Sequence, residues 1–462
     1  MNGKRLTYPL LLLWLLFVAT GCGNLYTGEG MEPPVVDPDD PTRPDNPEDP
    51  GTFEEVPIML AFTDPSYTTF CGGNTRGHGP FENDPNDETV GAEVWEKAIF
   101  YVYAFRSDDP SIDYSTQRSQ DKETCLIDGS TEEGGEKFEG QFHGRRIRLN
   151  RDNASAFMTW IDSKNDVPFY SSLYQTRTFD FFAYYLDDAP VHAMSRDPNG
   201  VKIDFSIDGT QDILCTAAQY TKEQQDNISN VANASEKQNI QKYRYSTYTG
   251  HRNYLPVFTF PHSLTLLQFK AYGGELAAQN IYFEGIQVRS RYKGQMLAAA
   301  KDISKVGVTF DPATTELPLR NKDGSVPTVD LNDPEKDQSV KVEFADDDVT
   351  LDADNNITGL NPSKSVYDRK ANSLWGSRMM VPPSDSYELT LKMRQEFPDG
   401  RPTLHYTTQY TIKAPEGFQP GYRYTIRIAV YGQQQVSIKV IITGWAEGGP
   451  PIDIDPDKDF EL

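Results

Sequence analysis

The stretches YRYTIRIAV (residues 422–430) and VSIKVIIT (residues 436–443) decide the fold class of this chain. In both, an apolar or aromatic side chain returns at every second position, with mostly polar residues between. Alternation with a period of two is the pattern of a β-strand that buries one face. Only a short link separates the two stretches, so they are predicted to pair as an antiparallel hairpin.

The same alternation extends upstream and predicts that the C-terminal third is an antiparallel sheet. Residues 387–393 and 404–412 alternate in this way, and Pro398-Asp399-Gly400 between them supplies turn chemistry. The polar stretch 220–243 lacks Pro and Gly and predicts either a helix or a loose excursion. The earlier half of the chain contains further candidate strands at residues 56–62, 98–105, 145–149, 179–186 and 201–207. Many short strands and few helical signals predict an all-β protein of two antiparallel β-sandwich domains in series.

The first 21 residues have the three parts of a secretory signal. Lys4 and Arg5 precede an apolar run at residues 10–19, and small residues follow it, directly before Cys22. A permanent membrane-spanning helix takes roughly 20 apolar residues, so this run is too short for one. Small residues ahead of a cysteine resemble the bacterial lipobox, in which the signal is cut before the cysteine and the new N-terminus carries lipid. Cys22 is therefore the predicted lipidation site; the alternative is an ordinary signal followed by an incidental cysteine.

Residues 22–52 are dense in Pro, Asp and Glu and have too little apolar bulk to fold. Five prolines recur at a spacing of three, at positions 38, 41, 44, 47 and 50. A polyproline II helix has three residues per turn, so this spacing predicts a stiff, extended acidic spacer. The alternative is a flexible acidic linker with no length function.

Charge and cysteine content restrict the partners and the chemistry. The net charge of −24 would repel a polyanion, so nucleic acid is disfavoured as a partner. Cys71 and Cys125 lie in polar, Gly-containing stretches and form a possible disulfide, whereas Cys215 lies in an apolar stretch and is predicted to be a buried free thiol. The cysteine spacings do not match a zinc site.

Motifs for catalysis are not found in the sequence. It contains no His-Glu-x-x-His, no Gly-x-Ser-x-Gly, no phosphate-binding loop and no dinucleotide fingerprint. The six histidines are scattered singly, and His262 is most simply a structural histidine at the start of a strand. Asp352, Asp354 and Asn356 alternate like calcium ligands, but Ile357 stands where an EF-hand loop needs Gly. We therefore expect no enzyme activity, no metal site and no cofactor.

Several segments, taken in order, resemble the fimbrillin family, the subunits of type V pili. They follow the lipobox and comprise residues 212–217 (DILCTA), 256–272 (PVFTFPHSLTLLQFKAY), 281–294 (IYFEGIQVRSRYKG) and 418–449 (FQPGYRYTIRIAVYGQQQVSIKVIITGWAEGG). The resemblance implies two tandem transthyretin-like β-sandwich domains, lipid anchoring at the surface of the outer membrane, and a structural or adhesive role in a fimbrium. Together with the patterns above, the resemblance predicts that the chain is divided into a signal (1–21), a linker (22–52), an N-terminal domain (53–219), a connector (220–253), a C-terminal domain (254–449) and an acidic tail (450–462).

The resemblance also implies how subunits join. In this family an Arg-specific protease removes an N-terminal strand, and a strand from the next subunit fills the groove that is left. Here the removable strand would be VPIMLAF (residues 56–62), and the candidate cleavage site is Arg76-Gly77 in a glycine-rich stretch. Arg43 is a poor alternative because Pro44 follows it. If no cleavage occurs, the chain would suit a pilus anchor or a stand-alone surface protein.

The sequence leaves two other interpretations open. In the C-terminal tail, Ile452 and Ile454 have strand spacing and could act as a donor strand, although the prolines and acids there favour a solvated end. The rival to a pilus subunit that binds other subunits or itself is a surface glycan-binding lipoprotein, since aromatic side chains stack on sugars. The expected partners are therefore pilin-like subunits, the outer membrane through lipid, and a host or microbial surface protein or glycan. A secreted hydrolase with two carboxylates is a more distant third.

Overall fold

The structure of the protein is a computed structural model. It describes residues 56–63, 98–119, 121, 123–130, 136–149, 158–161, 167–170, 174–321, 323–344, 349–353, 357–360, 372–432, 435–444 and 452–453. Half of the described residues are in strands and 9% are in helices, so the predicted all-β class is confirmed.

The strands in the described residues, in chain order, are β1 (Ala61–Thr63), β2 (Phe100–Arg106), β3 (Cys125–Ile127), β4 (Lys137–Phe138), β5 (Gln141–Phe142), β6 (Arg145–Leu149), β7 (Met158–Trp160), β8 (Phe179–Tyr185), β9 (Val191–Asp197), β10 (Gly200–Ser206), β11 (Leu214–Ala217), β12 (Val257–Thr259), β13 (Thr265–Gly273), β14 (Ile281–Arg291), β15 (Lys293–Ala300), β16 (Gly307–Phe310), β17 (Thr314–Pro318), β18 (Val340–Lys341), β19 (Val349–Leu351), β20 (Ile357–Leu360), β21 (Asn372–Val381), β22 (Ser384–Gln395), β23 (Leu404–Phe418), β24 (Tyr422–Gly432), β25 (Gln435–Gly444) and β26 (Ile452–Asp453). The helices are α1 (Lys222–Asn230), α2 (Ala234–Lys242) and α3 (Thr247–Gly250), with short 3₁₀ turns at Leu276–Ala278 and Ile303–Lys305.

The C-terminal part is a sandwich of two sheets. One sheet has the order β21-β13-β24-β25-β26, and the other has the order β17-β14-β22-β23 with β18 beside β14. Both sheets contribute to one buried core, for example through Phe269, Ile426 and Leu391. The predicted hairpin is confirmed, because β24 and β25 pair antiparallel. The predicted pair at residues 387–393 and 404–412 is confirmed as β22 and β23.

The N-terminal part is built around a sheet that is buried on both faces. This sheet has the order β11-β8-β2-β6-β7, with β3 beside β2. Its inner core, which includes Tyr103 and Phe182, is shared with the sheet β16-β15-β10-β9 through residues such as Ile203. Its opposite face, which includes Val102 and Phe181, belongs to a second cluster that we call the groove core. Because both faces are covered, every residue of β8 is buried.

Strands from both sides of the predicted connector share a sheet. Strand β10 precedes residues 220–253 and pairs antiparallel with β15, which follows them. The sheets are therefore not divided at the connector, and the proposed domain boundaries stay a prediction.

The polar stretch at residues 220–243 is helical, one of the two outcomes expected for it. Helix α1 begins after Thr221, whose hydroxyl accepts a hydrogen bond from the Gln224 backbone N–H in a capping box. Helix α2 begins after Asn233, which caps it in a similar way. Each helix buries one isoleucine, so packing of a narrow apolar face holds an otherwise polar segment in place. None of the helices in the described residues is long and apolar enough to cross a membrane.

Candidate functional site

The most distinctive site in the described residues is the apolar groove that holds residues 56–63. The side chains of Val56, Ile58, Leu60 and Phe62 alternate along this segment and are at most 8% exposed. All four belong to the groove core, on the outer face of the N-terminal sheet. Full burial of an aliphatic or aromatic side chain contributes ~1.5–3 kcal/mol, so these four together contribute at most roughly 6–12 kcal/mol.

Backbone hydrogen bonds hold the segment along one side. The Ile58 N–H donates to the Pro168 carbonyl at 2.7 Å, and the Tyr170 N–H donates to the Val56 carbonyl at 3.0 Å. Further along, the Met158 N–H donates to the Leu60 carbonyl at 3.0 Å. These partners lie about a hundred positions away in sequence, so the segment is bound as a separate strand would be.

The other side of the segment lies against β12. Strands β1 and β12 pair in parallel, with Ala61 opposite Val257, and the Ala61 N–H donates to the Pro256 carbonyl at 3.1 Å. Phe260 lies just beyond β12, and its ring centroid is 4.8 Å from that of Phe100 on the sheet. The predicted strand at residues 56–62 is thus confirmed only at its end, because residues 56–60 form a single bridge, from Pro57 to Phe169, rather than a regular ladder.

The helical segment closes the end of the groove where the segment begins. Gly250, the last residue of α3, lies so near Val56 that a Cβ there would be 2.8 Å from the Val56 Cγ1 atom. The Tyr245 ring packs edge-on against Phe181, with centroids 5.8 Å apart. The Arg244 guanidinium donates to an Asp180 carboxylate oxygen at 2.6 Å. Burial raises the pKa of Asp180 although Arg244 opposes the shift, so this ion pair carries the cost of removing a carboxylate from water.

A cluster of polar groups lies beside the groove core. The Tyr185 hydroxyl donates to the Asp187 carboxylate at 2.7 Å, and the Asp212 backbone N–H donates to the same carboxylate at 2.8 Å. The fully buried Asp212 side chain contacts the His262 ring, with 2.8 Å between Oδ2 and Nδ1. Burial is the main cause that raises the pKa of Asp187 to about 7. His262 therefore has the structural role that the sequence predicted, although it lies in an isolated bridge to Leu214 between β12 and β13 and not at the start of a strand.

The groove was only partly foreseen from the sequence. The sequence predicts the removable strand and allows helices at residues 220–243, but it does not predict that these helices and Gly250 close the groove. The signal that could have found the helices was present, because Thr221 and Gln224 have the spacing of a capping box. The contact of Gly250 with Val56 had no sequence signal, since it joins positions that are 194 residues apart.

The other predicted site residues are placed as follows. Cys22, Cys71, Arg76 and Gly77 lie outside the described residues, so lipidation, cleavage and the Cys71–Cys125 disulfide stay predictions. Cys125 is a fully buried free thiol in β3 of this structure, and burial raises its pKa well above the usual value. Cys215 is a buried free thiol, as predicted, and burial raises its pKa to about 12.

No group of three or more His, Cys, Asp or Glu residues in the described part of the chain is arranged to hold a metal ion. Among the large hydrophobic side chains that are clearly exposed there, the aromatic ones are Tyr174 and Tyr422. Asp354 and Asn356, which alternate in the sequence as calcium ligands do, lie outside the described residues.

Comparison with known proteins gives similar structures at low sequence identity. No protein-family model and no curated protein matches the chain. A fimbrial protein from Bacteroides vulgatus is similar to it with a TM-score of 0.41 and 12% identity, covering 85% of this chain and 100% of that one. The fimbrial anchor protein Mfa2 from Porphyromonas gingivalis is similar with a TM-score of 0.29 and 9% identity, covering 84% and 98%.

Proposed function

We propose that this protein is an outer-membrane surface lipoprotein of the fimbrillin type, a structural subunit or anchor of a pilus that joins its neighbours by strand addition. The observation that carries the proposal is the groove around residues 56–63. An edge strand that is held by long-range contacts alone can be replaced by an equivalent strand from another molecule.

Loss of the segment would create a strong binding site. The groove core would expose the surface against which Val56, Ile58, Leu60 and Phe62 pack. The backbone groups of Met158 and Pro168 would also lose their partners in the segment. An incoming strand with apolar residues at alternate positions would restore both kinds of contact, so removal of the segment favours assembly.

In this proposal the segment is released by cleavage after Arg76, thirteen positions beyond Thr63. The test is to compare cell-surface material from the parent, the Arg76→Ala variant and the control variant Arg43→Ala, after mild heating in detergent. The parent and Arg43→Ala should give a ladder of interlocked subunits on a gel, and Arg76→Ala a single band. A single band from the parent would contradict strand assembly, and a ladder from Arg76→Ala would contradict cleavage at this site.

Anchoring is the second part of the proposal. Lipid on Cys22 and the acidic spacer that follows would hold the two-sandwich body away from the membrane. Metabolic labelling with a radioactive fatty acid should mark the parent and a Cys71→Ser control but leave Cys22→Ser unlabelled. Equal labelling of Cys22→Ser would contradict lipidation at this residue.

A further inference from the structure

Strand β23 is a long edge strand whose outer side is unpaired. It runs from Leu404 to Phe418 and is the last strand of its sheet. Its pairing partner is β22, and residues 404–415 make no other main-chain hydrogen bond in the part of the chain that the structure describes. At the edge strand β21 of the facing sheet, by contrast, the Met380 N–H donates to the Gly209 carbonyl at 2.8 Å. Every second N–H and C=O of β23 is therefore open to another strand.

The sequence of this edge lacks the usual protection against pairing with another chain. Residues 404–413 read LHYTTQYTIK, without an acidic residue, a proline or a glycine, although the whole chain has 68 acidic residues. Exposed edge strands are normally interrupted by charges, prolines or bulges. Here Lys413, Pro415 and Glu416 come only at the end of the stretch. The aromatic and β-branched residues before them favour strand pairing.

Two hydroxyl groups on the inner side of β23 are buried without a partner. Tyr406 lies opposite the core residue Met393, and Thr408 lies opposite the core residue Leu391, so both side chains are on the face toward the core. Neither the Tyr406 hydroxyl nor the Thr408 Oγ1 atom has a hydrogen-bond partner among the described residues, which is unfavourable for a buried polar group. Leu404, at the start of the strand, is 39% exposed. A suitable partner would therefore bring hydroxyl groups to the first two residues and apolar cover to Leu404.

A second copy of β23 meets these requirements. Two copies that pair antiparallel, with Thr408 of one opposite Thr408 of the other, keep their inner faces on the same side of the joined sheet. In this register Tyr406 is opposite Tyr410, and Leu404 is opposite Ile412. Side chains directly opposite each other are ~4.5–5.5 Å apart at Cβ, and Thr–Thr and aromatic pairs are favourable there. The two hydroxyl groups and the exposed leucine thus all gain a matching neighbour.

The outer face of β23 fits the same register. His405 would lie opposite Thr411, and Thr407 opposite Gln409, so no two like charges are opposed along this stretch. A register centred on Gln409 would instead place His405 opposite Lys413. Both faces therefore favour pairing about Thr408.

We propose that β23 is an interface between two copies of this chain, in which the two strands pair antiparallel about Thr408 and join two sheets into one. The interface is symmetric, because each copy offers the same edge. It is separate from the groove at residues 56–63 and does not depend on strand addition there. Each copy has a net charge of −24, so the copies repel each other at long range and the dimer should become more stable as salt is added.

Cysteine cross-linking in the full-length protein tests the register. Thr408→Cys places each thiol opposite its copy and should give a disulfide-linked dimer on oxidation. Gln409→Cys alone is the control, because the two copies of residue 409 are offset along the strands by ~7 Å and should cross-link poorly. An equal mixture of Thr407→Cys and Gln409→Cys should give mixed dimers, because these positions are directly opposite.

The two cross-linking sites check each other. Opposed residues alternate along an antiparallel pair, so one of the two sites is a non-hydrogen-bonded pair with Cα atoms ~4.5 Å apart, close enough for a disulfide. Digestion without reduction, followed by mass spectrometry, identifies each bridge. Absence of a bridge at both sites, or equal yields from Thr408→Cys and from Gln409→Cys alone, would overturn the proposal.

An exchange of charges tests the interface without disulfides. In Thr407→Lys/Gln409→Lys each new lysine faces a lysine of the other copy, so sedimentation should give a dimer dissociation constant about tenfold or more above that of the parent. Net charge cannot explain this result, because the two lysines make each copy less negative. Thr407→Glu/Gln409→Lys places opposite charges face to face and should form the dimer at least as readily as the parent.

The outcomes separate this interface from assembly at the groove. Arg76→Ala, which blocks assembly at the groove in the proposed function, should still form the β23 dimer, so a failure of one proposal can be told from a failure of the other. Far-UV circular dichroism checks that each variant keeps its fold. A parent that stays monomeric at every protein and salt concentration, or a Thr407→Lys/Gln409→Lys variant that dimerises as the parent does, would overturn the proposal.

Discussion

The contact between Gly250 and Val56 gives the sharpest test of how the groove holds its strand. A Cβ at position 250 would lie 2.8 Å from Val56 Cγ1 and 3.3 Å from Tyr170 Cε2. Two carbon atoms prefer a separation of ~3.5–4.0 Å, so the Gly250→Ala variant must move the valine, the tyrosine ring or the helix.

The expected size of the effect follows from two opposing contributions. Overpacking of a filled core costs about 1–3 kcal/mol. Alanine is favoured over glycine in a helix by up to ~1 kcal/mol, and less than that at the last helical position of α3. Because Val56 is β-branched and its carbonyl is held by the Tyr170 N–H, it cannot turn aside cheaply. We therefore expect Gly250→Ala to lower the free energy of unfolding by about 1–2 kcal/mol.

A double-mutant cycle separates this clash from a general effect on the helix. Val56→Ala removes the clashing methyl group and alone should cost about 1–2 kcal/mol through lost burial and a small cavity. In the double variant the added Cβ fits the space that is left, so the two costs should fall short of additivity by about 1 kcal/mol. Urea unfolding of the parent, the single variants and the double variant measures this coupling.

Gly307 supplies a matched control for the glycine change. A Cβ at this position would meet nothing within 4 Å, so Gly307→Ala should leave the free energy of unfolding nearly unchanged. The reasoning is refuted if Gly250→Ala stabilises the protein, or if the effects of the two groove substitutions add within ~0.3–0.5 kcal/mol.

Three further predictions concern the groove and the buried charges. Ile58→Ala should lower the free energy of unfolding by about 2–5 kcal/mol in urea denaturation, whereas Pro57→Ala, on the exposed side, should change it by less than about 1 kcal/mol. The pKa of Asp187 is raised to about 7 in the fold, so its protonated form is favoured there and stability is lost as the pH rises from about 4 through 7. The variant Asp187→Asn is neutral at every pH, and asparagine tolerates the backbone φ of 47° at this position. At pH 8 its free energy of unfolding should exceed that of the parent by about 2–4 kcal/mol, with little difference at pH 4. Equal urea midpoints at pH 8 would contradict this. Arg196→Met should cost about 3–5 kcal/mol because it leaves the fully buried Asp128 carboxylate without its 2.9 Å ion pair, and Arg196→Met/Asp128→Asn should recover part of that loss in thermal unfolding.

The alternation of apolar residues in the sequence was sufficient to predict most strands. Strands β6, β8 and β24 begin and end close to the predicted bounds, because one buried face imposes a period of two on the sequence. The turn at Pro398-Asp399-Gly400 was also predictable, because Pro, Asp and Gly favour turns. In the structure Gly400 has a φ of 83°, which few other residues adopt. These features are local, and local patterns are what a sequence carries directly.

The pairing of distant strands could be known only from the tertiary structure. Nothing in the sequence indicates that β10 pairs with β15 across the helical segment, because periodicity is the same for any partner. Sequence also could not show that the N-terminal sheet buries both faces, which is why residues 56–63 lie in a groove instead of on an open edge. The amino-acid sequence alone determined that the chain forms sheets and where most of its strands and turns lie. The tertiary structure decided which strand fills which groove, because that choice depends on contacts such as Gly250 with Val56 that join residues far apart in sequence.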